Sequence, residues 1–567
     1  MEEPIFGTLA TPELRLIHHK ATHSGLQHRY SLEPQDPAPN LPVVLTALVG
    51  PDLAVERIAC YYTTDGSEPA GERGAPSSGD IAFFEPAGIE WDTLVWGYVS
   101  RWQATLPAQP QGTLVRYRIS AWTTAGREVF ADWPDSRAAV EEAAKAYFRQ
   151  EPLPVDLRRG DPSTGHAFNY RVDRLRPPEW ARRSVVYHIF VDRFHPGEGR
   201  GWLQHSDLRG LYGGTLAGVR ERLDYIADLG ATCLWLSPVF PSPSTHGYDA
   251  TGFDRVEPRL GGDLALRTLV DEAHARGMHV VLDLVCNHVS DQHPYFRQAQ
   301  SSPRSPYREW FTFDDSAIGY RSYFGVGAMP EVNLDHPAAR EWMIEVGRFW
   351  LREFAVDGYR LDYAQGPGMG FWAEFWAACK AQAPDCFCFG EVVEPSDVQR
   401  RYIGRMDGLL DFQFAYAVRQ TLGRGLWTPD RLNRFLEDHP AYFLGDDFLL
   451  LTFLDNHDMD RFLFVAGNRP DALRRAAELQ MRRASPPVIY YGTEVGMTQD
   501  GSKGSLRGLE PSRLPMIWDD RQDRALLQFY KDLIRQRQEL RLWEPRGGRA
   551  STHIQPPARS SAAGTRE

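Results

Sequence analysis

The chain has 567 residues, 42% hydrophobic and 24% charged, with a formal net charge of −12. That length exceeds one hydrophobic core, since domains hold ~100–200 residues and barrels ~250, so two or three domains are expected. The acidic balance, without a long basic run, excludes nucleic acid and anionic lipid as natural partners. No apolar run of ~18 residues is present to span a membrane. The start, Met1-Glu2-Glu3-Pro4-Ile5-Phe6, lacks the cationic then apolar pattern of a signal peptide, so a cytoplasmic location is expected. Six scattered cysteines (Cys60, Cys233, Cys286, Cys379, Cys386, Cys388) read as buried reduced thiols. Aromatic residues reach 12%, with 16 Trp, which leans toward carbohydrate because aromatic rings pack on the apolar faces of sugars.

Residues 1–150 read as an N-terminal β-sandwich with a glucan-binding role. Alternating stretches at Val43–Val49, 59–63, 93–100 and 115–121 are separated by Pro, Gly and Asp-rich turns. Residues 64–69 form a turn and 70–80 an exposed loop. A helix is predicted over 136–150, and the Pro-containing stretch 151–180 reads as a linker. From residue 181 the pattern changes to short apolar runs alternating with helical stretches, the signature of βα units. Eight strands are predicted at 185–190, 232–236, 279–284, 358–361, 386–390, 408–410, 448–453 and 488–491. Helices at 216–229 and 264–276 carry apolar residues at three- and four-residue spacings. The fold class is therefore α/β, a (β/α)₈ TIM barrel over 181–543, with an inserted segment at 289–335 after strand three. After a last helix at 523–542, residues 544–567 are rich in Arg, Ser, Gly, Ala and Pro and read as a disordered tail.

In such a barrel, functional groups lie where strands end. Strand three ends Asp283-Leu284-Val285-Cys286-Asn287-His288, and strand four ends Arg360-Leu361-Asp362. Strand five ends in Glu391 and strand seven in Asp455-Asn456-His457-Asp458. Any one of these alone reads as a helix cap or turn. Four converging on one rim read as a site.

These stretches, with Tyr212-Gly213-Gly214-Thr215-Leu216, Tyr248-Asp249 and Tyr490-Tyr491-Gly492-Thr493-Glu494, resemble the α-amylase superfamily, glycoside hydrolase family thirteen. The resemblance spans roughly 180–540 and is closest in look to cyclomaltodextrinase and neopullulanase-like members. It implies retaining double displacement on α-1,4 and α-1,6 glucosidic bonds, with Asp362 as nucleophile, Glu391 as acid/base and Asp458 as third carboxylate. It further implies that Tyr248, His288, Arg360 and His457 bind substrate, that Asp283 supports the site, and that Asn287 is a ligand of a structural calcium, although no cofactor is required for the chemistry. Arg360, two residues before Asp362 on one strand, is expected to lower the pKa of Asp362, and the like charge of Asp362 to raise that of Glu391. Trp310, Phe311, Tyr323 and Phe324 of the insertion are expected to line the pocket.

The chain departs from the pattern at two places. Ala364-Gln365-Gly366 replaces the usual Ala-Asn-Glu, and Val393 stands where an aromatic is usual; both positions lie on the leaving-group side in the family. A C-terminal β domain, general in the family, is missing, which reads as truncation or a shifted frame and should expose an apolar patch around Leu526, Leu527, Phe529, Tyr530 and Leu533. The expected partner is an α-glucan or malto-oligosaccharide, with no nucleic acid and no membrane, and the protein a monomer or homodimer. The rival readings are a transglycosylase of the same superfamily and a non-catalytic glucan-binding protein.

Overall fold

The computed structural model describes residues 4–9, 11–131, 134–153, 165–205, 207–443, 447–502 and 510–544; the tail expected from 544 onward lies, beyond Glu544, outside the described residues. Eight strands build one parallel sheet: Val186–Ile189, Cys233–Leu236, His279–Leu284, Gly358–Leu361, Phe387–Gly390, Gly408–Leu410, Leu449–Leu451 and Val488–Tyr490. The first seven pair in chain order, each with the next, and the eighth pairs with the first. A parallel bridge from Thr452 to Pro487 joins strands seven and eight and closes the ring.

Strand alternation sorts the side chains of this ring into two clusters. Val186, Cys233, Trp235, Val281, Phe387 and Phe389 pack together inside the barrel. Their neighbours Tyr187, Leu234, Leu236, Val280, Tyr359 and Cys388 join the core under the surrounding helices. By the same parity Asp283, Arg360 and the residue after strand four, Asp362, belong to the inner set.

The predicted helix at 216–229 is two helices, Leu216–Glu221 and Leu223–Leu229, interrupted at Arg222, whose guanidinium lies over the Trp518 ring. The last helix, Arg524–Glu539, does not leave the expected apolar patch. Leu526, Leu527, Tyr530 and Leu533 are buried, because that face turns onto helices Pro470–Met481 and Leu223–Leu229 of the barrel itself. In the insertion, helix Pro294–Ser301 is followed by turns pinned by bridges from Glu331 to His288 and from Val332 to Phe311.

The N-terminal region is two facing antiparallel sheets. Val43, Leu45, Ala47 and Val49, alternately buried along one strand, share a core with Ile58, Cys60, Tyr117 and Ile119 of the other sheet. Three local readings need correction. The stretch 93–100 is not one strand: a turn at 93–96, with Trp96 in the left-handed region (φ 55°), separates Glu85–Asp92 from Gly97–Leu106. The expected loop at 70–80 is an antiparallel pair, Ala70–Glu72 with Ala75–Ser78, turned at Gly74 (φ 84°). The expected linker contributes a sandwich strand, Phe168–Arg171, paired with Leu114–Trp122.

Two helices frame the sandwich. Pro12–Thr22 was not anticipated in a mostly β region, although its start signals are plain: Thr11 Oγ1 accepts from the Leu14 N–H (3.3 Å), with Pro12 and Glu13 in the first turn. The second, Pro134–Arg149, leads away from the sandwich and packs against the first.

Candidate active site

Strands three and four are in register at Asp283 and Arg360. The Arg360 side chain is fully buried and gathers three carboxylates. Its Nη1 lies 2.8 Å from both Asp283 Oδ1 and Asp362 Oδ1, and its Nη2 lies 2.8 Å from Glu391 Oε2, there without the alignment of a hydrogen bond. Asp283 also accepts from Trp235 Nε1–H (3.1 Å) and the Tyr248 hydroxyl (2.9 Å), so it is fixed from three sides. The ladder places the other two: Asp362 N–H donates to Leu284 O, and Glu391 N–H to Leu361 O. Glu391 Oε2 accepts from the Tyr363 N–H (3.1 Å), whereas its Oε1 is buried with no hydrogen-bond partner among the described residues. Tyr363 has φ 40°, a region costly for a residue with a Cβ, and such strain gathers at functional sites.

Burial is the largest influence on Glu391 and raises its pKa above the ordinary carboxylate value; Arg360 opposes this and Asp458 adds to it. Asp362 corrects the expectation from sequence. Burial pushes its pKa up and Arg360 pulls it down, but that one cation is shared by three carboxylates, and Glu391 and Asp283 push upward again. The net direction is up. Burial and its like-charged neighbours thus hold Asp362 above the ordinary carboxylate range despite the guanidinium beside it.

The opposite wall is built from the end of strand seven. Asp458 N–H donates to Asn456 Oδ1 (2.8 Å), and the carboxylate meets Arg513 Nη2 at 2.7 Å and His457 Nε2 at 2.8 Å. The Tyr248 hydroxyl is 2.6 Å from His457 Nε2, and the two rings are nearly parallel at 5.2 Å. His288 is buried beside Tyr323 (ring centroids 4.8 Å); burial lowers its pKa to about 3, so it is neutral, and its Nε2 has no hydrogen-bond partner among the described residues. Asn287 Nδ2 lies 3.3 Å from His288 Nδ1 and its side chain packs against Gly366. Calcium wants six to eight oxygens. Among the described residues the one group of three His, Cys, Asp or Glu donors close enough to share a metal is His19, His23 and Asp92, in the N-terminal region, a group that does not include Asn287.

Asp362, Glu391, Asp458, Tyr248 and His288 line a single cavity of about 620 Å³, while Asp283, Arg360 and His457 lie behind its wall. Of the four insertion aromatics, Tyr323 and Phe324 line it. Trp310 and Phe311 do not; they are buried in the insertion's own core, Trp310 against Tyr295, Tyr307 and Trp342, and Phe311 against Phe296. Several residues here were not anticipated. Arg513 comes from a loop after strand eight with no pattern to mark it. His188 on strand one stacks on Trp235 (3.6 Å) with both nitrogens unpartnered among the described residues, and its inward parity was readable. Ile5, Glu141, Ala144 and Phe148 enter the same cavity from outside the barrel.

The chain is similar to known proteins. Among curated proteins, the chain is 38% identical over 368 residues to Alpha-amylase 2 of Dictyoglomus thermophilum, covering 64% of each chain. It is 34% identical over 399 residues to Neopullulanase 2 of Thermoactinomyces vulgaris, covering 66% of each. The match therefore spans just under two thirds of the length of these relatives. A solved cyclomaltodextrinase shares the fold with a TM-score of 0.60, over 91% of this chain and 84% of that one, at 24% identity. The family model of the alpha-amylase catalytic domain matches residues 188–532, the barrel with the whole carboxylate cluster, and the chain belongs to that family.

Proposed function

We propose that the protein is a retaining α-glucan hydrolase that cleaves α-1,4 glucosidic bonds, with α-1,6 bonds as further substrates, in malto-oligosaccharides, cyclodextrins or pullulan-like glucans. The observation that carries this reading is the pair of carboxyls on one guanidinium: Asp362 and Glu391 each lie 2.8 Å from an Arg360 nitrogen. A retaining hydrolase needs two such carboxyls side by side, ~5–5.5 Å apart, one to attack and the other to donate a proton, and a shared guanidinium is a way to keep two carboxyls together. Glu391 keeps its proton because it is buried, and its unpartnered Oε1 is the atom free to pass it to the leaving oxygen. Asp362 then bonds to the anomeric carbon, forming a glycosyl ester. Glu391, now a carboxylate, takes a proton from water as that water opens the ester and releases Asp362. Asp458 faces the positive charge that develops on the sugar ring, His288 on the cavity wall meets its hydroxyls, and His457, which does not line the cavity, steadies Asp458 from behind at 2.8 Å. Asn287 serves in this scheme by positioning His288.

Proton NMR of the first products from maltotriose tests the stereochemistry. Two displacements at one carbon release the α-anomer before mutarotation. The β-anomer appearing first would assign a single displacement and end the reading.

A further inference from the structure

The departing sugar must lie on the side of Glu391 Oε1, since that atom supplies its proton. Next to Glu391 the cavity is lined by Tyr363, whose N–H donates to Glu391 Oε2, and by Val393, two residues on, whose N–H fixes Gln365 (2.8 Å to Oε1). Facing them is helix Pro134–Arg149, which belongs to neither the barrel nor the sandwich. Glu141, Ala144 and Phe148 are spaced three and four apart, hence on one face, and that face enters the cavity. Ile5, from the turn Pro4–Leu9, completes the wall.

The helix is fastened at both ends to the loops that carry the chemistry. Arg137 Nη1 donates to the carbonyls of Gln365 (2.5 Å) and Gly366 (2.6 Å), and Arg149 Nη2 donates to Phe324 O (3.1 Å). Between them the Tyr363 hydroxyl donates to Glu141 Oε1 (3.1 Å), whose charge Arg137 Nε balances at 3.4 Å. The turn is held separately: Phe6 is buried, its ring edge-on to Phe412 and Tyr416 at 6.4 and 5.1 Å. Charge-assisted bonds to backbone carbonyls, together with apolar burial, make a fixed wall and not a passing contact.

A chain cut in its interior needs room on both sides of the scissile bond. An oligosaccharide of a few rings needs far less, and about 620 Å³ falls in the ~300–1,000 Å³ range of sites that bind drug-sized ligands. We propose that helix Pro134–Arg149 and the turn Pro4–Leu9 form a built-in cap on the leaving-group side, which selects short malto-oligosaccharides over the interior of polymeric glucan. Glu141, Ala144 and Phe148 are the residues that set this limit, and the cap rests on the hydrolytic reading above.

Two variants of the full chain test it in opposite directions, with kcat/KM measured on maltotriose, amylose and α-glucosyl fluoride. Phe148→Ala opens the wall and should raise the amylose-to-maltotriose ratio about tenfold, the size of a single pocket contact in substrate discrimination. Ala144→Phe fills it and should lower the ratio of maltotriose to α-glucosyl fluoride by about tenfold or more, because fluoride is a leaving group of one atom. Should Ala144→Phe fail to fold, Phe148→Ala decides alone. Wild-type protein inert toward both maltotriose and the fluoride would overturn the hydrolytic reading and the cap with it. An active wild type whose ratios stay within about twofold in the folded variants would overturn the cap alone.

Discussion

The two walls of the catalytic pocket are built by different means. The sugar-binding wall is assembled from strand ends of one closed sheet. Asp283, Arg360 and Asp362 come from adjacent strands in register, and Tyr248 joins them to His457 by hydrogen bonds of 2.9 and 2.6 Å. A displacement there would have to move the barrel. The leaving-group wall is borrowed from a helix more than two hundred residues before the nucleophile and is held by four side-chain hydrogen bonds to loops. The first wall fixes which bond is broken and by what chemistry. The second decides what may leave, and it can change without touching the first.

That division can be broken from the chemical side. Glu391→Gln should lower turnover of maltotriose by about 10²–10⁴-fold, the usual contribution of a positioned general acid, while sparing the first step on α-glucosyl fluoride, which needs no proton. The pH dependence has a definite sign. Burial raises the pKa of Glu391, so its acid form survives above the ordinary carboxylate range, and wild-type turnover of maltotriose should fall as pH rises through that raised value. Maltotriose turnover across pH, set beside stopped-flow fluoride release, each with and without the substitution, reads both effects. Equal damage on both substrates would place the proton donor elsewhere.

The smallest expected effect concerns Asn287, beneath the sugar-binding wall. Its amide faces His288 Nδ1 and Gly366, so treatment with EDTA should change neither kcat/KM nor the melting temperature measurably. A resident calcium at a hundred times its Kd would contribute about 2.7 kcal/mol to stability, enough to shift the melting temperature on removal by several degrees. A drop of that size would make Asn287 a ligand after all.

The difference between the walls also governs what could be read from sequence. Asp362 and Glu391 are legible because a strand end has one position and strand parity has one direction; Arg360 follows from the same parity. His188 was legible on those terms and missed. Glu141 and Phe148 were not, because an amphipathic helix announces that one face will be covered but not by which part of the chain. The four aromatics of the insertion teach the same point. Trp310 and Tyr323 are thirteen residues apart in similar surroundings, yet Trp310 packs on Trp342 of the following helix and Tyr323 faces the pocket. The left-handed backbone of Tyr363 is likewise invisible in a residue name, as are the bonds of its N–H to Glu391 and of its hydroxyl to Glu141.

The central claim is that Asp362 becomes covalently bonded to the sugar. In Glu391→Gln, α-glucosyl fluoride should still glycosylate the nucleophile, while the second step, deprived of its base, should stall. Mass spectrometry of the protein after mixing should show the gain of one hexosyl unit, and proteolysis should place it on the peptide containing Asp362. No adduct under conditions where fluoride is released, or an adduct on a peptide without Asp362, would contradict the account.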